Sequence, residues 1–192
     1  MQQQELKIKN LSCHESQLRE LILPILRGKV FHVTNHSGLK GIAKDGLIRN
    51  NKNEDFPYSY PQSARSHARA RGRVSLFDLR TTSGDQLETT LSNFYFLNPP
   101  SSEDNPIFLI LSKSLYPALI PWTRARDEDG WKEMFIPYVE AFHQGNIPVS
   151  KISYAVSVRI ARAKTRSSTL SRQLDKAVAQ LYAKDKRRSG KK

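Results

Sequence analysis

A short strand that runs directly into a helix constrains this chain more than any other feature. The stretch is Val30 to Leu47, VFHVTNHSGLKGIAKDGL. Val30, Phe31, His32 and Val33 suit a strand, because three of the four are β-branched or aromatic. Thr34, Asn35, His36 and Ser37 make a polar turn whose side chains can cap a helix. Leu39, Ile42 and Ala43 recur at i, i+3, i+4, one helical face, and Gly46 suits the end of that helix. One imidazole, His32, is thereby carried to a helix N-terminus. Backbone N–H groups there attract anions, and a ring N–H beside them can orient a sugar hydroxyl. The competing use of such a residue is a structural histidine at the edge of a core strand.

A second block lies far downstream, Trp131 to Ile152, WKEMFIPYVEAFHQGNIPVSKI. Apolar positions alternate from Phe135 to Phe142, which predicts a strand with Glu140 late in it. A turn at Gln144 to Asn146 follows, and Ile147-Pro148 re-enters the core. Glu133, earlier in the block, competes with Glu140 for any chemical role.

The order of these blocks resembles the ADP-ribosyltransferase superfamily, in its diphtheria-toxin-like, histidine-first branch. The strand-HxT, turn, helix, Gly-Leu pattern is similar to the opening block of DarT-type DNA ADP-ribosylating toxins and of RNA 2′-phosphotransferases. A glutamate followed after a short turn by I-P-x-x-x-I resembles the catalytic-glutamate block of these transferases. The string NFYFLNPPSS resembles the aromatic strand and proline-containing turn in the middle of the toxins. The resemblance covers roughly residues 28 to 158. It implies an α+β domain of split antiparallel sheets with NAD in the cleft. Glu140 and His32 are then the catalytic pair, and Thr34 and Gly38 join His32 against the cofactor. The family's central residue falls on Ser75, Phe77 or Tyr95. No metal is implied, and His14, His67 and His143 have no ligand spacing.

Between the blocks the texture varies. Asn50 to Ser63 is rich in Asn, Pro, Tyr and Ser, and Arg65, Arg69, Arg71 and Arg73 then crowd together. With Tyr58 and Tyr60 nearby, these arginines are candidates for contacting phosphates and bases, or for gripping a pyrophosphate; a solvated loop is the plain alternative. Val74 to Arg80, VSLFDLR, predicts a central strand in which Asp78 pairs with Arg80 or Arg73, since an unpaired buried charge is costly. Leu91 to Phe96, Ile107 to Ser112 and Ile152 to Val158 predict further strands, and Pro117 to Gly130 a loop. Residues 1 to 29 read as a polar leader and one helix, started by a Ser12–Glu15 capping box and stopped by Gly28.

Composition narrows the partners. The chain has 192 residues, a net charge of +13 and a pI near 10.0. Such a surplus favours polyanions, nucleic acid before anionic membrane. One cysteine, Cys13, cannot form an internal disulfide, which suits a reducing cytoplasm. No apolar run approaches the ~20 residues of a membrane span, and no secretory signal is expected. Residues 1–160 are expected to form the catalytic domain. From Ala161 the chain turns basic, with Leu170, Leu174, Val178 and Leu181 spaced for an amphipathic helix, and 184–192 forms a basic tail. The expectation is an NAD-dependent mono-ADP-ribosyltransferase that modifies DNA or RNA, of the toxin or phage-defence kind, with an antitoxin or inhibitor protein as a further partner. An RNA 2′-phosphotransferase and a non-catalytic basic nucleic-acid-binding protein are the alternatives.

Overall fold

A computed structural model of the chain describes residues 6–56, 66–97, 105–128 and 134–161, the side chain of Tyr95 excepted. Met1–Ala161 forms one compact unit. The segment 162–192, where the basic helix and tail are expected, lies outside the described residues.

The fold is α+β around a mostly antiparallel sheet. Its strands are β1 (Ile8–His14), β2 (Val30–Thr34), β4 (Arg73–Asp78), β5 (Ile107–Leu111), β6 (Leu119–Pro121), β7 (Glu140–Gln144) and β9 (Ile152–Ala161). They lie in the order β1-β9-β5-β2-β4-β7-β6, and only the β1–β9 pair is parallel. A separate antiparallel pair joins β3 (Leu47–Ile48) to β8 (Ile147–Pro148). β5, IFLIL, is buried at every position because it lies inside the sheet with apolar side chains packed on both faces. Phe108 and Ile110 enter one core with Phe31, Phe94, Phe96 and the buried stripe Leu18, Ile22 and Leu26 of helix α1 (Leu18–Leu26). Ile107, Leu109 and Leu111 enter the other with Val30, Leu76 and Ile42. Truncating Phe108 to Ala would cost about 3–5 kcal/mol on this burial.

The strand-to-helix stretch forms as expected. Helix α2 (His36–Asp45) starts at Asn35, whose side chain accepts from the Gly38 N–H at 2.9 Å, and ends at Gly46 with φ 68°. Ile42 is its buried anchor, whereas Ala43 is exposed.

Four expectations change. The amino-terminal region holds a strand before its helix, so Ser12 lies inside β1; Glu15–Gln17 is a 3-10 turn, and the capping box is made by His14 and Gln17 instead. Leu91 to Phe96 is not a strand: after α4 (Gly84–Thr90) the chain coils through 3-10 turns at Leu91–Asn93 and Tyr95–Leu97. That coiling draws the Phe94 and Phe96 rings to 5.1 Å, closer than the ~6.6 Å two strand residues would span. The loop expected after Pro117 contains β6 and helix α5 (Trp122–Asp127). Finally, Glu140 opens β7 rather than ending a long strand, because a turn with Tyr138 at φ 67° interrupts the alternation.

Candidate active site

The sheet is weakest between β2 and β4. β2 pairs with β5 through Phe31, His32, Val33 and Thr34, but with β4 only at Val30–Asp78 and Phe31–Phe77. β4 meanwhile pairs with β7 from Arg73 to Phe77. The seven strands therefore form two groups, β1-β9-β5-β2 and β4-β7-β6, joined by two residue pairs.

His32 stands where that ladder stops. Its Nδ1 lies 3.0 Å from the Ser75 carbonyl oxygen, so the imidazole takes the place of the missing strand-to-strand bond. A carbonyl only accepts, so Nδ1 carries the proton and Nε2 is left as an acceptor. Burial pushes the ring's pKa down against the opposing pull of the Ser75 bond, and the neutral form dominates.

Glu140 reaches the same residue. Its Oε1 accepts from the Ser75 hydroxyl at 2.5 Å and its Oε2 from the Ile136 N–H at 2.7 Å. The residue is 6% exposed, and no described cation pairs with it. Desolvation raises its pKa to about 7, although both hydrogen bonds pull it down. Strand alternation sends His32 to the side of Leu109 and Glu140 to the side of Phe77. The two side chains thus arrive from opposite faces of the sheet and converge on Ser75, one at its carbonyl and one at its hydroxyl.

The other candidate residues divide sharply. Thr34 is buried at the end of β2, and a Cβ on Gly38 would land on the Thr34 Oγ1. A side chain at Gly38 would thus clash with Thr34. Phe77 stacks on Phe31 at 5.3 Å and meets Phe94 and Phe96 edge-on, each at 5.1 Å, so its ring serves the core. Tyr95 lies in a 3-10 turn, with its side chain outside the described residues. Glu133, Tyr58, Tyr60 and Arg65 also lie outside them.

The remaining arginines are engaged by carboxylates. Arg69 pairs with Glu54, and Arg71 lies 3.8 Å from Glu128. Arg73 is 8% exposed; it pairs with Glu128 at 2.8 Å and donates to His67 Nε2 at 2.9 Å and to Gln144 Oε1 at 3.2 Å. Arg73 is thus an internal strut, because a guanidinium so enclosed is not available to a phosphate in solvent. Asp78 pairs with Arg80 at 2.7 Å, one of the two pairings expected.

Tyr138 and Trp122 are not among the residues the sequence singled out for a site. Their rings meet edge-on at 4.9 Å, and Tyr138 is exposed two positions before Glu140. The only cue was aromatic composition beside a glutamate. Among the described residues no group of His, Cys, Asp and Glu is placed to hold a metal ion, and no helix is long and apolar enough to cross a membrane. In comparison with known proteins, no family model, no curated sequence and no solved structure matches the chain.

Proposed function

We propose that this chain is an NAD-dependent mono-ADP-ribosyltransferase of ADP-ribosyltransferase-like fold, acting on a nucleic acid in toxin or phage-defence fashion. One observation carries the reading: a buried glutamate without a cationic partner stands at a parting of the sheet, and the residue that holds it also holds the histidine. Structural carboxylates are normally paired or solvated; one kept near neutrality by burial is poised for chemistry.

The residues at the junction fit NAD. His32 Nε2 is an acceptor suited to a ribose hydroxyl, and Glu140 uses only two of its roughly four acceptor positions. When bound, NAD supplies a ribose whose bond to nicotinamide breaks with positive charge building on the sugar. An ionised Glu140 stabilises such charge and can take a proton from an incoming nucleophile. Ser75 holds that carboxylate in one rotamer, and His32, which leaves the other face of the sheet, would reach the sugar through the parting between β2 and β4. Tyr138, exposed two positions before Glu140, offers a planar base a ring to stack against.

The 2′-phosphotransferase reading loses support, because Arg69, Arg71 and Arg73 are engaged by Glu54 and Glu128 instead of lining a phosphate pocket. The test is incubation of the full chain with labelled NAD and single-stranded DNA, RNA or protein. Label should pass to a nucleic acid, and Glu140→Gln should remove transfer while leaving polymer binding in place. NAD left unconsumed with every acceptor, or full transfer by Glu140→Gln, would overturn the proposal.

A further inference from the structure

Of the net charge of +13, +9 falls in residues 162–192 (11 Lys and Arg against 2 Asp), which lie outside the described residues. Within the described residues, a groove of about 780 Å³ has walls from β1, β9 and α2. Asn10 and Ser12 of β1 lie beside Ser157 and Arg159 of the paired strand β9, and His36 and Lys40 of α2 also line the groove. No carboxylate lines the groove, and Lys40 and Arg159 are exposed and make no ion pair with any described residue. Arg69, Arg71 and Arg73 are all taken by carboxylates. The contrast separates neutralised cations from available ones.

We propose that this groove binds the phosphodiester backbone of a single-stranded nucleic acid. Two unpaired cations flanked by amide, hydroxyl and imidazole groups match a chain of phosphates and sugars. The concave shape suits a strand better than a flat anionic bilayer. No Phe, Tyr or Trp lines the groove, so recognition there is of backbone and tolerant of sequence. One wall includes His36, two residues beyond the strand that carries His32. Only the claim that the bound nucleic acid is the acceptor rests on the transferase reading; binding itself does not.

The test compares two charge-matched double variants of the full chain. Lys40→Ala/Arg159→Ala empties the groove of its lysine and arginine, while Arg27→Ala/Lys113→Ala removes two exposed cations outside it that make no ion pair with any described residue. Binding of fluorescent 20-nucleotide DNA and RNA strands is measured without NAD from 50 to 200 mM salt. The groove pair should weaken binding about tenfold or more and flatten the log–log salt slope by about 1.4, for two lost phosphate contacts. The control pair should change affinity less than threefold. Equal losses in both pairs, or selective loss of binding to phosphatidylserine vesicles with strand binding unchanged, would overturn the inference. Neither result bears on NAD cleavage, which is read separately with Glu140→Gln.

Discussion

Two regions of the molecule enclose a glutamate, Glu128 only partly and Glu140 almost fully, and they treat it in opposite ways. Glu128, just beyond α5, faces Arg73 at 2.8 Å and Arg124 at 3.2 Å, and those guanidiniums hold its carboxyl below the usual range. Glu140 meets only neutral donors, a serine hydroxyl and a backbone N–H, and burial lifts it to about 7. The first arrangement is a strut: charge answers charge, and the ion pairs tie α5 to the start of β4. The second leaves a carboxyl whose ionisation is unsettled near neutral pH, which a scaffold does not need and acid–base chemistry does.

Variants at the two sites should therefore fail differently. Glu140→Gln should lower ADP-ribosyl transfer by about 10³-fold, within the range for a positioned acid–base group, with no loss of folding; the rate is read by label transfer, the fold by circular dichroism. Arg73→Met should leave intact chemistry in a weakened protein. Removing Arg73 leaves Glu128 with Arg124 and Arg71, so unfolding in urea should reveal the lost charge-assisted hydrogen bond, about 1.5–3 kcal/mol. Adding Glu128→Gln should return part of it, so a double-mutant cycle measures the coupling.

Acidity sharpens the contrast. A glutamate raised from 4.5 to about 7 favours the folded state fully only below pH 4.5, and that contribution is lost as pH rises through 7. Glu140→Gln should thus match the parent in stability near pH 4 and exceed it by on the order of 2–3 kcal/mol at pH 8. Thermal denaturation across that range checks the sign. The smallest effect is expected for Ser75→Ala. Its hydroxyl holds the Glu140 pKa down, so removing it should push the midpoint of the pH–rate profile upward and slow transfer at pH 7 by about tenfold.

The sequence carried the two ends of the site but not the way they meet. His32 was readable because Val30 to Leu47 has consistent local signals for strand, cap, helix and stop, and these agree with the fold. Glu140 was readable only by its place in a block, since alternation from Phe135 to Phe142 looks the same whether or not a turn interrupts it. The positive φ of Tyr138 has no glycine or asparagine to announce it. β1 was hidden for another reason. Its partner β9 lies at the far end of the domain, and an exposed edge strand, with Ile8 47% exposed, shows little apolar alternation. Ser75 stood among three candidates, and no local pattern foretold that its carbonyl would meet the His32 ring. The arginines illustrate the converse. Crowding in sequence suggested a phosphate surface, but Glu54 and Glu128, distant along the chain, bind them, and no local pattern foretells that.

The central claim is that Glu140 is an acid poised at neutral pH where the sheet parts. A carbon-13 NMR titration of glutamate side-chain carboxyls, assigned by loss of one signal in Glu140→Gln, reads this directly. That signal should titrate near pH 7 and shift when NAD is added. A midpoint at the ordinary 4.5, with no response to NAD, would contradict the account.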